Sequence, residues 1–379
     1  MNKKVMALAV AGAFAVPGAA LADATIYGRV NVGLDQYSAT GATNSAQDLK
    51  SRNRVFDSAS RLGFRGTEDL GGGLRAVFVI ESGVNMDTGG TTGQGGQANP
   101  STGTLATRDS YGGLEGDWGR VSFGRQSVFW TNGVIAQSGP NYINIDVPMA
   151  TVGGGFGLVK GIGTRINNTV MYSLPNMSGF GGYVSYSPNS EAAQAGQNTD
   201  GVVEGLRVTY TGRVNVQADW ATNKGQTPTT GNRLTITGEK LGVGFPYAPG
   251  AQISVIWGSN ENKNAAIAGI SAASDTVKQS MVLVNWEQIF GNIQVMAMAG
   301  KLGKISGCSI SCDDTEATSL MVAAKYLFSK KTGAYVSYNS TTNKANQTLD
   351  YTAAGLTSAN PIGAGADPKI FALGVIQNF

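Results

Sequence analysis

Histidine is absent from all 379 residues, and cysteine occurs only twice, at Cys308 and Cys312. Without histidine a serine hydrolase loses the base that carries its proton, and zinc centres built on imidazole cannot form; two thiols alone do not complete a tetrahedral site. Charge is scarce too: 14% of residues are Asp, Glu, Lys or Arg, against about 25% in soluble domains. The 28 basic and 25 acidic residues nearly cancel, which leaves no basic surface for a nucleic acid. Proline is limited to 11 residues while glycine reaches 54. Gly153-Gly154-Gly155 is followed by no GK[ST] and opens no helix, so it reads as loop. The acidic pairs Glu68-Asp69 and Asp313-Asp314 lack EF-hand spacing. The expectation is a chain without cofactor or metal that is not an enzyme.

What is present begins with Lys3 and Lys4, followed by an apolar run from Val5 to Val16 and by Ala20-Leu21-Ala22. A positive start, a dozen or so apolar residues and an A-x-A site describe a secretory signal. The run is well short of the roughly 20 residues that span a bilayer as a helix, and no later segment comes closer. Residues 1–22 are therefore expected to be removed, leaving 23–379 as one domain in an oxidising compartment. There the even cysteine count favours a small Cys308–Cys312 disulfide over two free thiols.

Period-2 alternation recurs from end to end, and a 3.6-residue period never persists. In Arg165 to Leu174, for example, Ile166, Val170, Tyr172 and Leu174 share one face, with Arg165, Asn167, Thr169 and Ser173 on the other. Leu62 and Phe64 likewise stand opposite Arg61 and Arg65. Sixteen such runs can be counted: 24–37, 54–66, 73–84, 104–115, 118–126, 165–174, 179–188, 202–211, 212–222, 232–241, 250–259, 277–288, 292–303, 315–327, 332–341 and 369–379. Each is about ten residues, the length with which a tilted strand crosses a bilayer, and the number is even, as in bacterial single-chain barrels. The fold class is all-β, a transmembrane antiparallel β-barrel. Tyr172, Tyr186, Tyr210, Trp220, Trp257, Trp286 and Phe379 lie near strand ends and read as interfacial girdles.

Short turns such as Asp69-Leu70-Gly71-Gly72 and Phe290-Gly291 alternate with long polar connections. The longest, 127–164, keeps Phe129, Trp130, Tyr142, Ile145 and Phe156, which a solvated loop does not need. It is expected to fold into the barrel. An arginine on the outward face would meet lipid at a cost of roughly 2–4 kcal/mol near mid-bilayer, so Arg61 and Arg165 are assigned to the lumen. Arg125 shares the parity of Val121 and Phe123, which leaves two readings open, a place beyond the apolar band or one in the pore. Arg75 and Glu81 share a face and are read as a wall pair.

Several segments resemble the general porins of Gram-negative bacteria, most closely those of β-proteobacterial type. The resemblance is carried by Ala24-Thr25-Ile26-Tyr27-Gly28-Arg29-Val30, by Ser60-Arg61-Leu62-Gly63-Phe64-Arg65-Gly66-Thr67-Glu68-Asp69-Leu70-Gly71-Gly72, by Arg108-Asp109-Ser110-Tyr111, by Gly119-Arg120-Val121-Ser122-Phe123-Gly124-Arg125-Gln126 and by the terminal Phe379. It implies an outer-membrane homotrimer of sixteen-stranded barrels, surrounded by lipid and passing small ions and hydrophilic solutes, with the long loop narrowing each pore. It places Arg61, Arg108 and Arg165 on the wall facing the constriction. With Arg125 as a further member and Asp146 as the loop's only carboxylate, the set implies a preference for anions. With no histidine to titrate, the preference is expected to be flat between mild acid and mild base. A solute-specific channel would instead show saturable block, and a non-conducting barrel adhesin would lack a charged constriction.

Overall fold

A computed structural model describes residues 23–87, 105–129, 157–163, 165–188, 197–199, 201–225, 227–228, 232–351 and 362–379. The expected signal at 1–22, and residues 130–156 of the long connection with Asp146 among them, lie outside these. The first half of the chain contributes β1 (Asp23–Thr40), β2 (Leu49–Asp57), β3 (Arg61–Gly71), β4 (Leu74–Gly83), β5 (Ser110–Gly116), β6 (Gly119–Ser127), β7 (Arg165–Ser173) and β8 (Phe180–Ser187). The second half adds β10 (Val202–Tyr210), β11 (Asn215–Lys224), β13 (Thr235–Ala248), β14 (Ala251–Lys263), β15 (Thr276–Phe290), β16 (Ile293–Leu302), β17 (Ala317–Leu327), β18 (Thr332–Asn343) and β19 (Asp367–Asn378). Two short pieces, β9 (Gln197–Thr199) and β12 (Thr227–Pro228), pair only with each other. Among the described residues the sole helical element is a single turn at Ser45–Gln47.

Each strand of the wall pairs antiparallel with its neighbours, and β19 returns to β1 from Arg29↔Asn378 to Thr40↔Asp367. Gly28 and Phe379 complete the seam by exchanging two backbone hydrogen bonds of 3.2 Å. A closed wall leaves no unpaired edge for lipid to solvate, which is the condition for a sheet to cross a membrane. The β3–β4 hairpin turns through Gly71, Gly72 and Gly73, all at positive φ, where a Cβ would be strained. β2 and β3 run along successive halves of β1, interrupted only at Ser58-Ala59-Ser60, so together they form one of sixteen wall strands. The sequence run 54–66 spans that interruption.

Side chains sort by parity, but with the polarity of a soluble sheet inverted. Leu34, Val55 and Phe123 point outward and are 57–61% exposed, whereas Asn31, Asp35, Ser122, Gln217 and Asn339 are buried inside. In water such a surface would forgo about 25 cal/mol for every Å² of apolar area left uncovered; in lipid it is at home. Tyr186, Trp220, Trp257 and Phe379 face outward.

Simple alternation breaks at two irregularities. Arg125 is buried on the inner side because the ladder between β6 and β7 shifts register between Gly124 and Gln126, with Gly124 at φ +144. The extra residue of the bulge lies on β7, between Ile166 and Thr169, and on β6 it is Gly124, outside the extended range, that breaks the alternation after Phe123. Ile166 is also inside rather than facing lipid, since Asn168 at φ +55 breaks the alternation that sends Val170 and Leu174 outward. The strand expected from 104 begins only at Ser110, which leaves Arg108 in irregular backbone.

Candidate functional site: an arginine corner on the inner wall

The irregular segment 105–109 lies along the end of β4 and is fastened to it. Arg108 N donates to Glu81 O (2.9 Å), Glu81 N to Asp109 O (3.1 Å), Gly83 N to Thr107 Oγ1 (2.9 Å) and Ala106 N to Ser82 Oγ (2.8 Å). This fastening sends the Arg108 side chain back onto Glu81, with Nε 2.5 Å from Oε1. Arg61, opposite Gly83 on β3, reaches the other oxygen of Glu81 at 3.7 Å. Asp109 accepts from Arg165 Nε at 3.0 Å and from the backbone and hydroxyl of Ser127 at 2.6 and 2.9 Å. Arg125 donates to Thr107 O at 3.0 Å and to Asn167 Oδ1 at 2.5 Å.

All four arginines singled out in the sequence therefore meet on one stretch of inner wall built from β3 to β7. Asp146 lies outside the described residues. The acidic partners on the wall are Glu81 and Asp109, neither of which parity alone identified. The pairing of Glu81 with Arg75 expected from their shared face does not form. They stand six residues apart on β4, roughly 20 Å along a strand, and Arg75 binds Glu115 instead at 2.5 Å. The register supplies the missing signal: Glu81 faces Gly63, diagonal to Arg61. Among the described residues, four guanidinium groups stand against two carboxylates, so this stretch of wall carries a surplus of positive charge.

Between β16 and β17 the sulfurs of Cys308 and Cys312 are joined, with Cα atoms 5.6 Å apart. They pack against a small apolar cluster of Val159, Ala265, Ile270, Val277 and Ile305. The bridge closes a ring of only a few residues, so it stabilises that loop by roughly 2 kcal/mol of chain entropy. Cys308→Ser/Cys312→Ser is expected to leave the barrel and its conductance intact while raising hydrogen exchange around Ile305 and Thr315. Stoichiometric labelling of both thiols in unreduced protein would contradict the bridge.

Comparison with known proteins agrees with this architecture. The sequence pattern of the Gram-negative porins matches residues 7–346. The major outer membrane protein P.IB of Neisseria gonorrhoeae is 27% identical over 354 residues, covering 89% of this chain and 92% of its own. An outer membrane porin protein of Bordetella pertussis is 31% identical over 271 residues, 65% of this chain and 66% of its own. Among solved structures, the anion-selective porin from Comamonas acidovorans superposes with a TM-score of 0.73 at 22% identity, covering 94% of this chain and 100% of that one. The trimer form of OmpT from Vibrio cholerae gives 0.61 at 14% identity, covering 94% of this chain and 99% of that one.

Proposed function

Because the chain belongs to the Gram-negative porin family, and so forms an outer-membrane channel through which small hydrophilic solutes and ions diffuse, we propose that its pore prefers anions. Arg61, Arg108, Arg125 and Arg165 set the preference, 127–164 narrows the lumen beside them with Asp146 as its carboxylate, and 1–22 is lost on export. The carrying observation is the surplus of guanidinium over carboxylate among the described residues of the inner corner. Guanidinium stays charged at any working pH. A narrow lumen between low-dielectric walls focuses its field, so that even at 0.15 M salt, where the Debye length is about 8 Å, like charge biases which ion enters.

The assembly is a homotrimer in this reading, and its work is diffusion rather than catalysis. A trimeric band that collapses to monomer only on heating, together with closures in three equal steps in planar bilayers, is the expected result. A single closing step from a protein monomeric by light scattering would overturn the trimer. The sign of the preference is read from the zero-current potential across a KCl gradient, and a cation-selective native channel would overturn it.

A further inference from the structure

We propose that Lys240, on the side of the barrel away from the arginine corner, is a positioning residue that holds the root of segment 127–164 in the lumen. The proposal rests on the reading of that segment as the narrowing loop. Lys240 points inward from β13 and is buried to 2% exposure. A buried ammonium needs partners that replace its water. Asp219 on β11 lies 3.5 Å away, yet that carboxylate already binds Arg207 Nε and Gln217 Nε2, each at 2.5 Å. The remaining donors of Lys240 are directed elsewhere: Nζ gives a 2.8 Å hydrogen bond to the carbonyl of Phe129 and stands 4.6 Å from the centre of the Phe129 ring.

Phe129 lies two residues beyond the end of β6, while β13 is separated from β6 by β7, β8, β10 and β11. The contact therefore crosses the inside of the barrel rather than following its wall. Phe129 has φ +63, a conformation disfavoured for a residue with a Cβ, so the surroundings must impose it. Both of its backbone polar groups are held by wall side chains, since its N–H donates to Tyr183 Oη on β8 at 2.9 Å. Gly238 makes room for the ring: a Cβ there would fall 2.8 Å from Phe129 Cζ and 3.1 Å from Ile162 Cγ1. On β10, a Cβ at Gly205 would fall 2.7 Å from Val128 Cγ1. The returning leg lies nearby, where the Asn262 side-chain amide faces the backbone of Lys160 and, with its oxygen toward Lys160 N (2.8 Å) and its nitrogen toward Lys160 O (2.9 Å), pairs with both groups. Outgoing and returning legs are thus fastened to the same patch, and Lys240 supplies its one cationic hydrogen bond to loop backbone among the described residues.

The test uses the full-length protein in planar bilayers. Lys240→Met keeps the unbranched stem as far as Cε and removes the ammonium; Asp219 keeps Arg207, so the barrel is expected to assemble, as a heat-modifiable band will show. The variant should display open-channel current noise several-fold above native and a conductance altered by about 1.5-fold or more, while retaining the sign of its zero-current potential. Lys240→Arg, which can still donate to the carbonyl, should stay quiet. Tyr183→Phe should give a smaller change in the same direction. A disulfide between Val128→Cys and Gly205→Cys, confirmed by mass spectrometry, should form and should silence the noise of Lys240→Met. If that bridge forms but Lys240→Met remains quiet and unaltered in conductance, the holding role is wrong and the loop reading survives. If the bridge fails to form in a chain that retains Lys240, the root of 127–164 does not lie against β10, and both readings fall.

Discussion

Replacing Arg108 and Arg165 together by glutamine is expected to bring the anion-to-cation permeability ratio from several-fold down to about one. In the native corner Glu81 is shared between Arg108 and Arg61, while Asp109 binds Arg165 and Arg125 stands beside it on Thr107 and Asn167. Among the described residues, removing two guanidinium groups leaves Arg61 and Arg125 against Glu81 and Asp109, so this stretch of wall no longer carries the surplus that favours anions. Glu81→Gln makes the opposite change and should raise the preference, because Arg108 and Arg61 then face the lumen without their shared carboxylate. Both shifts should shrink in 1 M salt, where the Debye length falls to about 3 Å. The measurement is the zero-current potential across a KCl gradient for native, Arg108→Gln/Arg165→Gln and Glu81→Gln channels. An unchanged potential in the double variant would show that these side chains do not face the permeating ions.

How far this corner can be read from sequence depends on how local each cause is. Period-2 parity is local, so it puts Leu62 and Phe64 on the face opposite Arg61 without knowledge of any partner strand, and both are exposed while Arg61 is more covered. At Arg125 the rule gives no guide, because Gly124 adopts φ +144 where β6 meets a bulge of β7, a strand more than forty residues away. Pairing fails for a different reason. Parity told that Arg75 and Glu81 share a face but carried no information about position along the barrel axis, and it is that position which gives Glu81 to Arg108 and Arg75 to Glu115. Lys240 illustrates the limit. Its inward direction follows from alternation with Leu241, but nothing near it in the chain announces that Phe129 will arrive from the other side of the lumen.

The segment that follows β18 should dock more tightly in acid than at neutral pH, even though the chain has no histidine. Asp350 accepts from the Tyr37 hydroxyl at 3.3 Å to each oxygen and from its neighbour Tyr351 N at 2.7 Å. Arg54 on β2 is the cation facing it, but that guanidinium is engaged in two 2.8 Å hydrogen bonds with Asp35. Burial therefore prevails and pushes the Asp350 carboxyl from 3.8 up to about 6. A carboxyl that binds its proton more tightly when docked than when solvated contributes its full stabilisation below about pH 4. That contribution is lost as pH rises from there through 6, and is gone above it. The loss amounts to about 3 kcal/mol, on the order of 100-fold in the opening equilibrium of the segment. The remaining anchors do not titrate in this range: Asn343 Nδ2 to Leu349 O (3.0 Å), Gln347 Nε2 to Thr315 O (2.6 Å) and Tyr351 Oη to Pro368 O (3.2 Å). Hydrogen exchange at Leu349 and Tyr351, corrected for the intrinsic pH dependence of amide exchange, should therefore lose protection between pH 4 and pH 7. In Asp350→Asn, which imitates the protonated form, protection should be flat with pH and match the native acid value. A variant whose exchange still follows the native pH curve would assign the dependence to another group. A native segment indifferent to pH would mean that water reaches Asp350 and leaves its carboxyl near the ordinary value.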